Sequence, residues 1–217
     1  MTLYLKAGPD GTSVGDCPFA HFVRLVLEEK NLPYELRPCV QDTKPQWLID
    51  HYEGKMPALR HGKECYVESN VIAEYADFFF KDPPLKSKDK AATEAAEAAV
   101  DGFFPAVAKY LKNTVDENDP LLLESLKESL SKLESHLKTS GYDYLCGPEF
   151  SLLDCSLLPK LYHLIVGVEG YKNSKPNIME DYPAIAAYYN RSAERPSFKA
   201  TLYPKETVLW GWGNARS

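Results

Sequence analysis

The chain has no surplus of positive charge. Its 25 Lys and Arg stand against 31 Asp and Glu, a formal net charge of −6, so no broad basic surface is on offer to phosphate backbones or anionic lipid. Nucleic acid is not an expected partner. Long apolar runs are missing too: Leu164–Val168 is cut off by Glu169, far short of the roughly 18 consecutive apolar residues of a membrane helix, and no membrane partner is expected. The first ten residues reach Lys6, Gly8, Pro9 and Asp10 too early to contain the apolar centre of a secretory signal, and they lack the Arg and Ser richness of a transit peptide. A cytoplasmic location is expected, or a chloroplast one if a transit peptide has been removed. Cys17, Cys39, Cys65, Cys146 and Cys155 are odd in number and scattered, with no CxxC pair and no histidine at zinc-ligand spacing. This usage implies a reducing compartment and no metal site. Internal repeats and low-complexity tracts are absent as well.

What remains is a foldable chain of 217 residues, 44% apolar and 26% charged, long enough for one generous domain or two small ones. The pattern changes character near residue 85. From Leu3 to about Phe80, short β-branched or aromatic runs alternate with helical periodicity; after Asp89 the pattern is helical almost throughout. Between them lies KDPPLKSK, residues 81–88, in which Pro83 and Pro84 cannot continue a helix. The expected organisation is a first domain over 1–80, a linker over 81–88 and an all-helical domain over 89–217. No broad apolar patch is legible on the first domain, and a monomer is expected.

In the first domain Leu3–Leu5 and Tyr34–Val40 read as strands around a helix from Pro18 to about Lys30, whose Phe19, Phe22, Val23, Val26 and Leu27 form an apolar stripe. A short helix over Pro45–His51, a hairpin of Ala58–Arg60 and Cys65–Val67, and a helix from Ser69 to Phe80 complete the order βαβαββα. The fold class is therefore α/β followed by all-α: a small mixed sheet covered by helices, then a helical bundle. In the second part, helices are expected over about Asp89–Lys112, Pro120–Thr139 and Leu152–Val166, with further turns near Pro183–Ser192 and Ser197–Ala200. Ser151 and Asp154 have capping-box spacing before the third of these.

The segment Gly15-Asp16-Cys17-Pro18-Phe19 carries the chemistry. A cysteine at the handover from a polar loop to a helix, with proline at the first helical position, stands beside the free N–H groups of Phe19 and Ala20 and the positive helix end. Such settings bring a cysteine from about 8.5 into the range of roughly 3.5–7.5, so Cys17 is expected to be partly ionised at neutral pH. Asp16 works against this by like-charge repulsion unless a cation such as Lys6 intervenes; alternatively it binds a substrate hydroxyl or amine. Position 20 is Ala, so no internal disulfide can form at CxxC, and chemistry at Cys17 is monothiol. A monothiol that becomes oxidised needs an outside thiol to restore it, and glutathione is the usual one. Met56-Pro57, just before the third strand, is suited to a cis bond that turns the Met56 backbone outward to pair with an extended peptide, and Glu68-Ser69 opens a helix able to hold a carboxylate.

With these residues on view, the chain resembles the dehydroascorbate reductases of plants and algae, a branch of the glutathione transferase superfamily. The resemblance is carried by KAG…GDCPF at 6–19, LVLEEKNLPYE at 25–35, DTKPQW at 42–47, GKMP at 54–57, ESNVI at 68–72, SLLDCSLLPKLYHL at 151–164 and GW at 211–212. It implies glutathione-dependent reduction of dehydroascorbate through Cys17, with glutathione as co-substrate and no bound cofactor. It further implies that Lys6 and Asp16 hold ascorbate and glutathione beside the cysteine, that Lys44, Met56, Glu68 and Ser69 line the glutathione site, and that Pro57 is the cis-proline. His163 and Trp212 would reach the electrophile pocket from the helical domain and touch both substrates. Ala20, His21-Phe22 and Met56 depart from the residues usual in that branch. The CPF loop is also similar to that of chloride intracellular channel proteins, and an omega-like thioltransferase would share the same site.

Overall fold

Strand β1 (Thr2–Lys6) buries Leu3 and Leu5 completely and turns the residues between them the other way, the period-two alternation of a strand. The computed structural model describes residues 1–216, and in it β1 leads to α1 (Pro18–Glu29), β2 (Glu35–Cys39), α2 (Gln46–Tyr52), β3 (Ala58–His61), β4 (Glu64–Val67) and α3 (Ser69–Phe79). The sheet order is β2-β1-β3-β4, with β1 parallel to β2 and the other neighbours antiparallel. A helical crossover forces the first pair to be parallel, and the tight Gly62-Lys63 turn forces the last to be antiparallel. This is the mixed sheet expected from the sequence.

Helix α1 is buried more widely than its stripe suggests. Phe22, Val23, Val26 and Leu27 are buried as expected, but so are His21, Arg24 and Leu25, while Phe19 is 42% exposed. The helix packs against α3 on one side and, from the far end of the chain, against α10 (Pro196–Thr201) on another. These neighbours enclose polar positions and leave Phe19 on the open side. His21 faces Thr201 Oγ1 at 2.9 Å, and Arg24 Nη1 donates to the Thr201 carbonyl at 2.7 Å, so two polar residues of α1 serve as docking points. Helix α3 leaves Val71, Phe78 and Phe79 exposed, an apolar surface that was not legible in the sequence.

The helical part comprises α4 (Lys90–Val100), α5 (Phe103–Lys112), α6 (Asp119–Thr139), α7 (Leu152–Tyr171), α8 (Ile178–Asp181) and α9 (Pro183–Ala193), with α11 (Lys205–Arg216) closing the chain. The single helix expected over 89–112 is in fact two. Asp101 is extended and Gly102 stands at φ +71°, a conformation that L side chains rarely adopt, so α4 stops at Val100 and α5 restarts at Phe103. Helix α7 runs past the expected Val166 to Tyr171 because it is buried on nearly every side, and packing rather than amphipathic pattern sustains it. Its capping box forms as anticipated: Asp154 accepts from Ser151 N at 2.8 Å and Ser151 Oγ at 2.6 Å. The same carboxylate also accepts from Leu145 N and the Tyr188 hydroxyl.

The chain divides into two compact units, one of residues 1–85 with Pro196–Trp210, the other of residues 86–195 with Gly211 onward. Residues 81–88, set apart in the sequence as a linker, divide between the two units, and Pro196–Trp210 falls in the first. Residues 81–85 join the first unit because Lys30 Nζ donates to the Pro83 carbonyl and Asp77 accepts from Leu85 N. The segment Pro196–Trp210 joins it through the Arg24 and His21 contacts, which no local pattern announces.

Lys30 and Asp77 form an ion pair at 2.8 Å with side chains only 0% and 8% exposed. Removing one partner of such a pair strands the other charge in a dry site, at a cost of about 3–5 kcal/mol. Asp77→Ala is expected to lower the thermal unfolding midpoint by on the order of 10 °C, measured by circular dichroism. A shift within about 2 °C, at most about 1 kcal/mol for a chain of this size, would mean that water already solvates the pair.

Candidate active site

The register of the sheet brings the chemistry-bearing positions of the first unit to one end. Tyr4 pairs with Ala58 and Ala58 with Val67, so the C-terminal end of β1, the N-terminal end of β3 and the C-terminal end of β4 lie side by side. Lys6 is opposite Cys39, which brings the end of β2 and the following Lys44 to the same edge. Met56-Pro57, Glu68-Ser69 and the loop into α1 all leave the sheet here.

That loop is held by its own backbone. Gly15 N donates to the Lys6 carbonyl at 2.8 Å, and Gly8 N to the Ser13 carbonyl at 2.8 Å. A Cβ on Gly15 would stand 2.6 Å from both the Lys6 and Ala7 carbonyl oxygens, so only glycine allows the approach that delivers Cys17 to the helix start. Cys17 is the N-cap residue of α1 with Pro18 at the first helical position, and its carbonyl accepts from His21 N at 3.0 Å. The backbone amides of Ala20 and Phe19 pull the Cys17 thiol down, the sense expected of a helix start, though its side chain makes no capping hydrogen bond.

The charge state differs from that expectation. Burial is the largest influence on the half-buried Cys17 and pushes its thiol up; the Ala20 and Phe19 amides pull it down, Asp16 pushes it up, and Lys6 pulls it down. The balance lies above the ordinary cysteine value, the direction opposite to the partial ionisation anticipated. Desolvation of an anion outweighs the pull of two amides.

Lys6 meets Asp16 directly, Nζ to Oδ1 at 2.6 Å, with side chains 45% and 13% exposed. The cation that the sequence required between Asp16 and the sulfur is thus present, and it is spent largely on the carboxylate. Two further groups that the sequence reading missed stand here. Lys6 Nζ lies 4.9 Å from the centre of the Trp210 ring, and the Tyr203 hydroxyl donates to the Asp16 carbonyl at 3.2 Å. Trp210 is visible in the terminal WGW, but nothing local ties it to residues so far upstream.

Of the other sequence-derived positions, Met56 precedes a cis peptide to Pro57, and the pair borders β3. Lys44 runs beside Gly54, where a Cβ would stand 3.3 Å from its ammonium nitrogen, so its side chain reaches toward the same stretch. Glu68 is exposed and stands at φ +69° before α3, and Ser69, the first residue of α3, is buried. The positive φ of a non-glycine residue is a local strain that the surrounding structure must maintain. His163 and Trp212 belong to the second unit, where their rings meet edge on at 5.8 Å with Phe104 beside both. Trp212 Nε1 is buried with no acceptor among the described residues. No group of three or more His, Cys, Asp or Glu is placed to hold a metal among the described residues, and no helix among them is long and apolar enough to cross a membrane.

Comparison with known proteins agrees with this geometry. Residues 12–84 match the family model of the glutathione S-transferase N-terminal domain, and residues 90–191 that of its C-terminal domain. The chain is 35% identical to glutathione S-transferase DHAR2 of Arabidopsis thaliana over 92% of this chain and 90% of that protein. It is 28% identical to chloride intracellular channel protein 3 of Mus musculus, over 96% of this chain and 93% of that one. The crystal structure of Chlamydomonas reinhardtii dehydroascorbate reductase superposes with a TM-score of 0.81 at 26% identity, covering 99% of this chain and 97% of that chain. The chain belongs to the glutathione S-transferase family, in its dehydroascorbate reductase branch.

Proposed function

We propose that the protein reduces dehydroascorbate to ascorbate at the expense of glutathione, with Cys17 as the reacting group. The observation that carries this reading is the place of Cys17, the N-cap of α1 with Pro18 at the first helical position, at the edge of the sheet shared with Met56-Pro57 and Ser69. The similarity to the Chlamydomonas reinhardtii dehydroascorbate reductase supports the choice of electrophile.

In this reading the Cys17 sulfur loses its proton and attacks dehydroascorbate. Its electron pair reduces the substrate, water supplies the oxygen, and ascorbate departs from a sulfenic acid on Cys17. One glutathione condenses with the sulfenic acid, releasing water and leaving a mixed disulfide. A second glutathione attacks that disulfide, restoring the Cys17 thiol and yielding oxidised glutathione, so two thiols supply the two electrons. The half-reactions are separate, and the kinetics are ping-pong. Lys6 and Asp16 hold the substrates beside the sulfur. The Met56 backbone, Lys44, Glu68 and Ser69 hold glutathione, with the first amides of α3 facing its γ-glutamyl carboxylate. The protein works as a monomer in the cytoplasm.

The raised thiol has a kinetic consequence. Reaction needs the thiolate, so the alkylation rate of Cys17 in the free protein is expected to climb about tenfold per pH unit between pH 7 and 8.5, as for any thiol titrating above that range. A rate that is level from pH 6 to 8 would mean the anion already exists at neutral pH.

Two rivals share the fold. An omega-like thioltransferase would use the same Cys17 on mixed disulfides, and comparing dehydroascorbate with hydroxyethyl disulfide at equal glutathione separates the two. Similarity to the mouse chloride intracellular channel protein favours a membrane-associating reading; liposome flotation under oxidising conditions tests it. Arg24, buried in α1 and bonded to Thr201, would have to be pulled out for that helix to enter lipid.

Cys17→Ser is expected to cut dehydroascorbate turnover to below about one thousandth of wild type, followed by ascorbate absorbance, whereas replacing Cys39, Cys65, Cys146 or Cys155 singly leaves most activity. Turnover that survives Cys17→Ser and disappears with another cysteine would transfer the chemistry elsewhere. Lys6→Ala is expected to lower kcat/KM for dehydroascorbate about tenfold while the unfolding midpoint barely moves, because an ion pair with one partner this exposed is worth at most about 1 kcal/mol. Unchanged steady-state parameters would remove Lys6 from the site.

A further inference from the structure

The C-terminal segment reaches the start of α1 at several points at once. Phe198 stacks on the His21 ring at 5.3 Å with 21° between the planes, and Tyr203 covers the same ring at 5.0 Å. Thr201 meets His21 and Arg24 through its hydroxyl and carbonyl. Beyond this clamp the buried Tyr203 extends its hydroxyl to the carbonyl of Asp16, the peptide that leads into Cys17, and Trp210 sets its ring against the Lys6 ammonium. Lys6 is a long side chain, 45% exposed, on a strand end. Left to itself its ammonium would sample many positions; between the Asp16 carboxylate and an aromatic face it has one.

We propose that Tyr203 and Trp210 are positioning residues for Cys17, fixing the Lys6–Asp16 ion pair next to it. The inference rests on Cys17 being the reacting group. Asp16 precedes Cys17 in the chain and is ion-paired to Lys6, and the two charges act on the thiol in opposite senses. His21, one helical turn on, is engaged with Thr201. The C-terminal segment therefore acts through the Lys6–Asp16 pair: Trp210 holds the cation where it offsets Asp16, and Tyr203 holds the Asp16–Cys17 peptide in place.

The test is the alkylation rate of Cys17 by iodoacetamide in the full-length protein from pH 6 to 10, read by mass spectrometry on the tryptic peptide ending at Arg24, in which Cys17 is the one cysteine. Trp210→Leu is expected to slow alkylation at pH 7.5 about two- to fivefold, the range of a cation–aromatic contact near the surface, and to move the midpoint upward. Trp210→Phe keeps an aromatic face and is expected to restore most of the rate. Tyr203→Phe retains the ring on His21 and removes only the hydroxyl, so it reads the Asp16 contact with the fold intact; a smaller shift in the same direction is expected.

In a Lys6→Met background Trp210→Leu should add nothing, since its effect passes through the ammonium. An undiminished loss in that background, a wild-type profile for both Trp210→Leu and Tyr203→Phe, or failure of Trp210→Phe to restore the rate would overturn the proposal. The readout involves no dehydroascorbate. Turnover surviving in Cys17→Ser would defeat the proposed function by itself, while the titration would still report whether these residues govern the thiol.

Discussion

A single sulfur at the first turn of α1 is subject to two opposing demands, and the surrounding structure follows from them. Cys17 stands at the N-cap of α1, near the Phe19 and Ala20 amides, and is half-buried there. The helix end favours an anion and the burial opposes one; burial prevails in the free protein. The loop has no latitude in bringing Cys17 there, because Gly15 passes within contact of two carbonyl oxygens where any side chain would collide. Pro18 supplies the preset backbone angle of the first helical residue and has no N–H to satisfy. The electrostatic remainder falls to Lys6 and Asp16, which meet beside the sulfur and largely neutralise each other.

Strand register explains why one end of a four-stranded sheet gathers Cys17, Met56-Pro57 and Glu68-Ser69. Parallel pairing of β1 with β2 and antiparallel pairing of β1 with β3 and β3 with β4 bring four chain segments to a common edge, each leaving the sheet into a loop or a helix start. Loops at such an edge can differ without disturbing the pairing beneath them. The first unit is not built from the first part of the chain alone: α10 and the beginning of α11 return to it, through two polar residues of α1 that would otherwise be expensive to bury. His21, a departure from the residues usual in this branch, thus has a structural use, as an aromatic and hydrogen-bonding seat for the C-terminal segment. Phe79 of α3, though exposed, packs its ring on those of His61, Tyr75 and Phe80.

The order of strands and helices, the mixed sheet, the capping box at Ser151 and Asp154, and the placement of Cys17 at a helix start were all legible in the sequence, because each depends on neighbours within a few residues or on a simple period. Alternation, helical stripes, a two-residue turn and a proline after an N-cap are local signals, and local backbone sterics and hydrogen bonding enforce them. The break at Gly102 was overlooked for a related reason: a glycine among good helix formers is tolerated as often as it interrupts, and only the realised φ decides. The length of α7 depends on burial around its whole circumference, which an amphipathic pattern cannot report.

The sequence alone determined which cysteine stands at a helix start and which chemistry it lacks: Ala20 in place of a second cysteine excludes an internal disulfide at that turn. Tertiary structure decided the burial of that cysteine and the company it keeps. Helix-end amides are visible in a string of letters because they come from adjacent residues. The water excluded from the sulfur, the indole facing Lys6 and the phenol reaching Asp16 from 187 positions away are not, since each depends on which distant segments the folded chain packs together.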